Sequence, residues 1–255
     1  MASGDIQLLT RAMTVLRAIA AGPDGGMRAS DLSAKTGLPQ PTMHRLLGAL
    51  VKEGLVRKKS GRLFSLGAEA LSLGNAASRM FDIKGMSRDA LERLADDPGD
   101  VSFLQVRSGP FAICIDRADG TYPVRPMTLQ PGERRPLGVG AGSLALLSFL
   151  DEVDREQVID AEEKRLADYP GFTTHSLREA VQRTRDAGFS WVEGDVVAEM
   201  CAVGMPVFDQ DDRPIASLSI AAIRTRLDQA RQESALARLK HEVSLLSSEY
   251  GGGER

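Results

Sequence analysis

The sequence predicts two modules. The first is a winged helix-turn-helix, helices plus a β-wing, and a helical linker joins it to an α+β body built on an antiparallel sheet. Three observations predict this. Between Ala29 and Leu66, a short helical run, a glycine, a second amphipathic helix and a basic hairpin follow one another, the order in which a winged helix-turn-helix is assembled. Charge is unevenly shared: residues 1–67 hold ten Lys or Arg against four Asp or Glu, whereas the whole 255-residue chain carries −3. Beyond residue 84, strand-like and helix-like runs succeed each other, which implies a sheet covered by helices.

The elements of the first module follow in order. Ile6, Leu9, Met13, Leu16 and Ala20 step by three and four, and Leu8, Ala12, Val15 and Ile19 do so on an adjoining face. They predict a helix over 6–21 with a stripe wider than one core contact needs. Either one face packs inside the module and the other meets a second subunit, or the helix is a central core element. Ser30 reads as the N-cap of a helix over 31–36, with Gly37 as its C′ residue. Leu38-Pro39-Gln40 make the turn, and Pro41 suits the first turn of the next helix, where its missing N–H costs little. Met43, Leu46, Leu47, Leu50 and Val51 bury one face of that helix.

The opposite face presents Gln40, Thr42, His44, Arg45, Gly48 and Lys52. Gln and Arg make bidentate contacts to adenine and guanine, and Arg45 and Lys52 can equally hold phosphates. In the hairpin, Phe64 and Leu66 sit two apart and are expected to face the core, with Ser60-Gly61 as the turn. Arg57, Lys58, Lys59 and Arg62 cluster at its tip, suited to phosphate or minor-groove contact. A charged hairpin alone is usually a solvated loop. In this order, and as a basic head on an acidic body, the features point to double-stranded DNA.

The expected boundaries are 1–67 for the DNA-binding module, 68–83 for an Ala-rich linker helix and 84–255 for the body. A helix over 84–95 carries Leu91 and Leu94 on one face, and Asp96 to Asp100 break the chain. Val101–Arg107, Phe111–Arg117 and Tyr122–Gln130 read as strands, then Ser143–Leu150 and Leu177–Ala187 as helices. Phe189–Glu193, Val196–Phe208 and Pro214–Ala221 read as strands, with Asp209–Asp212 as a hairpin turn. Residues 224–249 read as a last helix with Leu227, Leu236, Leu239, Val243 and Leu246 as partners. Neither a basic leader nor an apolar run near the ~18 residues of a membrane span is visible, and two cysteines make no disulfide framework. A reducing cytoplasm, without membrane attachment, is therefore expected.

Several runs resemble the IclR family of bacterial transcriptional regulators. In the head they are Leu38–Leu47, Glu53-Gly54-Leu55-Val56 and Phe64-Ser65-Leu66-Gly67. In the body they are Pro131–Gly142, Gly188-Phe189, Val203–Asp209 and Ala216–Ile220. The resemblance spans roughly residues 8–245. It implies a GAF-like effector-binding domain, homodimers or dimers of dimers on a pseudo-palindromic operator, and control by a small-molecule effector.

The effector site is expected at Gly140, Ala141, Gly142 and Ser143. Glycines there let a ligand approach the backbone, and unpaired N–H groups at a helix start attract anions; a turn needing glycine for geometry alone is the alternative. The resemblance places a small carboxylate near Gly140 and Ala141, and Ser219 matches a ligand-facing position. Other positions depart from the family pattern. Val192 stands where one member offers an acid, Ala202 replaces a frequent Cys, Ala221 replaces a second Ser, and Asp195 and Glu199 replace a Glu and a Gly. Cys201, one residue earlier, is expected on the other sheet face. Fewer polar groups imply a more apolar, aromatic or longer-chain acid. No cofactor and no metal is expected: His44, His175 (placed in a loop) and His241 lack partners at zinc spacing, no Gly-x-Ser-x-Gly elbow occurs, and Cys114 and Cys201 read as buried thiols. Two alternatives remain at this stage: a sensor without transcriptional control, and an enzyme that also binds DNA.

Overall fold

The computed structural model describes residues 2–80, 83–96, 100–122, 129–169, 171–227 and 229–250. It divides into two compact units, Met1–Asp82 and Ile83–Arg255.

In the first unit, helix α1 (Ala2–Ala20) is followed by strand β1 (Met27–Arg28) and helices α2 (Ala29–Thr36) and α3 (Gln40–Lys52). Strands β2 (Val56–Lys58) and β3 (Leu63–Leu66) and helix α4 (Ala68–Met80) complete it. The three strands form an antiparallel sheet in the order β1-β3-β2. Val15, Ile19, Leu32, Met43, Leu46, Leu47 and Leu50 meet Val56 and Phe64 in one core. Their i, i+3, i+4 spacing on each helix turns one face inward.

Three expectations change here. Arg28, not Ser30, occupies the N-cap of α2 and makes no side-chain cap; Ser30 Oγ donates instead to Asp31 Oδ1 at 3.1 Å. The strand β1 carries the chain straight into the helix, so the turn that a capping serine would close is absent. Val51 and Leu66, expected in the core, are each 39% exposed. Val51 falls one step beyond the buried arc of α3, and Leu66 ends its strand where the sheet is only three strands wide. Gly37 closes α2 at φ 69°, as its C′ role requires.

The second unit starts with helix α5 (Ile83–Asp96), followed by strands β4 (Val101–Ser108), β5 (Phe111–Asp119) and β6 (Arg134–Pro136). Helices α6 (Ala141–Ser148), α7 (Glu152–Leu166) and α8 (Thr174–Ala187) follow. Strands β7 (Ser190–Glu193), β8 (Met200–Phe208) and β9 (Pro214–Ile223) and helix α9 (Gln229–Glu249) close it. The six strands are antiparallel throughout, in the order β6-β5-β4-β9-β8-β7. On one face of the sheet, Leu91 and Leu94 of α5 and Leu239, Val243 and Leu246 of α9 pack against Leu104, Val203, Leu218 and Ile220. On the other lies α6, all eight of its residues buried, beneath α7 and α8.

The antiparallel sheet and its helical layers match the expected body, with five differences of detail. Helix α7 was not anticipated. It is densely charged, and among its described side chains only Val158, Ile159 and Leu166 are buried, too few for a clear helical period. The three-residue β6 lies inside a Pro-Gly loop and pairs only at the sheet edge. β8 begins at Met200, because Gly194–Glu199 fold into a turn in which Gly194 N–H donates to Met200 O at 2.8 Å. His175 sits in the first turn of α8 rather than in a loop. Of the strand expected over Tyr122–Gln130, residues 123–128 lie outside the described residues, and Leu129 and Gln130 are not in a strand. Asp209 makes the expected β8–β9 turn by accepting the N–H groups of Asp211 and Arg213, both at 2.9 Å.

Candidate functional site

Two places collect chemistry-bearing side chains. The first is an open groove between α3 and the β2–β3 hairpin, lined by Gln40, His44, Lys58 and Arg62 together with Arg28, Ser30 and Gly61. The fold assembles it simply. α3 turns its apolar face to the core, so Gln40, His44 and Arg45 are left exposed. Gly61 at φ 73° and Arg62 at φ 62° make the hairpin turn tight enough to hold Lys58 and Arg62 on the same side. Thr42, Arg45, Lys52, Arg57 and Lys59 do not line this groove. Arg57 is held flat on the sheet, its Nε donating to Ser65 Oγ at 3.0 Å, and Lys59 Nζ donates to Asp24 O at 3.2 Å. Arg28 was not singled out from the sequence, and Ser30 was read there only as an N-cap. The signal was available: a basic and a hydroxyl residue directly precede and open the first helix of the motif.

The second place is a cavity of about 60 Å³ on the α6 side of the large sheet. Its rim is the turn before α6. Gly138 and Gly140 take φ values of 94° and 90°, which only glycine adopts freely. Ser143 Oγ accepts from Gly138 N–H at 3.0 Å and donates to Pro136 O at 2.8 Å. Ser143 is thus wholly buried and braces the turn without lining the cavity, so its expected ligand role is not what the geometry shows. The turn is fastened to the sheet through its backbone. Ser190 Oγ donates to Ala141 O at 2.7 Å. A Cβ on Gly204 would lie 2.7 Å from the carbonyl carbon of Ala141, so β8 comes as close as glycine permits.

Gly140, Ala141, Gly142, Ala202, Ser219 and Ala221 all line the cavity, as does Val192. Antiparallel pairing explains why: Ala202 lies opposite both Val192 and Ala221, and Gly204 opposite Ser219. Asp195 and Glu199 are exposed and do not line it. Cys201 borders the cavity but belongs to the apolar cluster on the other sheet face. Two polar residues went unnoticed in the sequence. Arg135 from β6 reaches the rim, with Nη1 3.1 Å from where a Cβ on Gly140 would stand. Gln105 from β4 is 4% exposed and sets its carboxamide oxygen against Gly142. A β-bulge between Leu104 and Gln105 shifts the β4–β5 register beside Gln105, and β6 was itself not foreseen, so simple alternation gave no signal for either. The rest of the wall is apolar, with Phe103, Leu129, Val139, Val196, Val197 and Met200.

Burial dominates the electrostatics. It lowers the affinity of the Arg135 guanidinium for its proton, opposed mainly by Tyr169 and Glu133; an arginine so shifted is still charged at neutral pH. Burial pushes the Cys114 thiol up to about 12 and the Cys201 thiol up to about 11, so both are thiols, not thiolates. Among the described residues, no group of three or more His, Cys, Asp or Glu is placed to hold a metal, and no helix is long and apolar enough to cross a membrane.

Comparison with known proteins settles the family. Residues 8–60 match the model of the IclR helix-turn-helix domain, and residues 75–248 that of the bacterial transcriptional regulator IclR C-terminal domain. The chain belongs to the IclR family of bacterial transcriptional regulators. It is 28% identical to the transcriptional repressor IclR of Escherichia coli, over 98% of this chain and 92% of that protein. It is 26% identical to the regulator KipR of Bacillus subtilis, over 87% and 89%. Its fold is that of an IclR homologue from Microbacterium hydrocarbonoxydans solved with 4-hydroxybenzoate, with a TM-score of 0.75 and 20% identity over 95% of this chain and 98% of that one. This IclR family member is therefore a DNA-binding transcriptional regulator, as its curated relatives are.

Proposed function

We propose that this regulator binds a pseudo-palindromic operator as a homodimer or a dimer of dimers, and that a small acid in the cavity beside Gly140 sets its hold on DNA. The observation that carries this reading is the groove that gathers Gln40, His44, Lys58 and Arg62 between α3 and the hairpin. Here α3 enters the major groove and the hairpin acts as the wing, with Thr42 and Arg45 at base edges and Lys52, Arg57, Lys58, Lys59 and Arg62 on phosphates. The face of α1 turned away from the core supports pairing: Leu8, Leu9 and Met13 are 56%, 66% and 37% exposed. Leu8 was expected on the adjoining face, with Val15 and Ile19; Ile6 was expected beside Leu9 and Met13, but its side chain lies outside the described residues.

The second unit serves as a GAF-like effector domain. Gly140, Ala141 and Gly142 offer uncapped helix N–H groups, and Ser219, Ala202 and Ala221 form the floor. The effector acts through the segment 68–80 by preferring one arrangement of the paired heads over the other. The apolar wall favours an aromatic or longer-chain acid over a two- or three-carbon one, and 4-hydroxybenzoate, bound by the Microbacterium relative, is a fitting first probe. A gel shift of the purified chain on its own upstream intergenic DNA tests the first half, with a specific shift expected and ligand binding without any shift overturning it. Calorimetry tests the second: tight binding of glyoxylate or pyruvate with none of bulkier acids would overturn the apolar-acid reading.

A further inference from the structure

This inference rests on the cavity being the effector site, and it names what the effector must carry. Among the described residues, the sheet side of the cavity is polar in one spot. Gln105 lies opposite Ser217, and Phe103 opposite Ser219, across the β4–β9 pair, so Gln105 and the two serines project from the same face. A Cβ on Gly142 would lie 2.2 Å from Gln105 Oε1, 3.0 Å from Ser217 Oγ and 3.1 Å from Ser219 Oγ. The three are 4%, 0% and 4% exposed.

Ser217 Oγ is buried without a partner, and neither Gln105 nor Ser219 has a side-chain hydrogen bond to any described residue. Buried polar groups are almost always partnered, and an orphaned amide is a cost that a bound hydrogen-bonding group removes. Gln105 and Ser219 both line the cavity, so a bound molecule can reach them. At the rim stands Arg135, the one charged side chain among the described residues that line the cavity. It is partly withdrawn from water and next to Gly140, whose missing side chain leaves room for it.

We infer that the effector is a monocarboxylic acid bearing a second, uncharged hydrogen-bonding group, with its carboxylate on Arg135 and its hydroxyl or carbonyl on Gln105 and Ser219. The apolar wall between, from Phe103 and Val139 to Val192, takes the carbon skeleton. A guanidinium holds a carboxylate through paired, charge-assisted hydrogen bonds, whereas a carboxamide and a hydroxyl both give and accept hydrogen bonds and discriminate against a ligand that lacks the group. A dicarboxylic acid is disfavoured, because its second charge would be buried against neutral partners.

The test uses the full-length chain and two matched series: benzoate, 3-hydroxybenzoate and 3-hydroxybenzamide; butyrate, 3-hydroxybutyrate and 3-hydroxybutyramide. Affinities are read by titration calorimetry on the wild type, Arg135→Met, Gln105→Met and Val192→Trp, each checked for folding by circular dichroism. In at least one series the hydroxy acid should bind wild type tightest. Arg135→Met should weaken both acids roughly ten-fold or more and abolish their advantage over the amide. Gln105→Met should bring the hydroxy acid down to the level of the plain acid, a loss of roughly three- to ten-fold, and leave the plain acid where it was. Val192→Trp, which fills the cavity, should bind none of them. If the acids bind wild type and Arg135→Met alike while Val192→Trp blocks them, the cavity remains the effector site and the two-point assignment is wrong. If no probe binds wild type, or binding survives Val192→Trp, the reading of the cavity falls and this inference falls with it.

Discussion

Cys114 on β5 and Cys201 on β8 belong to one sheet, with two strands between them and in different apolar clusters, and both are enclosed. Cys114 Sγ lies 3.3 Å from Asp116 O and Cys201 Sγ 3.7 Å from Ala222 O, so each thiol points at a carbonyl that would repel a thiolate. With folded values of about 12 and about 11 against an ordinary 9.0, the unfolded chain loses these protons first. Their contribution to stability is complete below pH 9 and is lost as pH rises toward the folded values. Ellman's reagent at pH 8 should leave the native chain unlabelled and titrate both thiols in guanidinium; fast labelling of the native chain would contradict the burial. On the DNA side, residues in one patch should behave differently. Arg45→Ala should cost about 1–3 kcal/mol on the operator and relax preference at one base if Arg45 reads that base. Lys58→Ala should weaken every sequence alike and lower the salt slope by about one. Equal effects on operator and random DNA for both variants would assign Arg45 to phosphate.

At the scale of elements, the turn before α6 is where backbone geometry decides. Gly138 stands at φ 94°, and a Cβ there would meet Leu177 Cδ1 at 2.3 Å. Gly138→Val should therefore destabilise the effector unit by about 1–3 kcal/mol, through strain and overpacking together. Denaturant melts would show this, and an unchanged midpoint would mean that the turn relaxes freely. The helix-turn-helix was legible because Met43, Leu46, Leu47 and Leu50 repeat at helical spacing and Gly37 and Pro41 punctuate it. The strands β4, β5, β8 and β9 were legible from alternation and turn residues. What escaped was set by pairing rather than by period. The edge strand β6 is three residues long, α7 buries too few side chains to show a stripe, and Gln105 lies beside a bulge that shifts the register by one. The site was half visible for the same reason: its glycine rim is written locally, but Arg135 and Gln105 reach it only through the sheet's register.

For the whole molecule, the face of α1 bearing Leu8, Leu9 and Met13 makes a prediction that separates folding from assembly. Leu9 is 66% exposed, so Leu9→Glu should shift the stability of the monomer by no more than about 0.5 kcal/mol. It should nevertheless dissociate dimers on DNA, seen as a faster-migrating complex in a gel shift or as lower mass by light scattering. Unfolding of the head instead would mean that α1 is simply a core helix. The contact between Gly204 and the Ala141–Gly142 peptide has a consequence for how this regulator can diversify. It divides the ligand chamber into a chassis and a lining. The chassis is Gly138 and Gly140 at positive φ, Gly142 under the Gln105 and serine side chains, Gly204 against the Ala141–Gly142 backbone, and Ser190, whose Oγ donates to Ala141 O. The lining, Val192, Val196, Val197, Met200, Ala202 and Ala221, consists of apolar side chains that border the void and make none of the hydrogen bonds that fasten the turn, so a library of similar-sized residues at those six positions should retune the inducer while sparing the frame. The molecule can thus change what it senses without renegotiating how it folds.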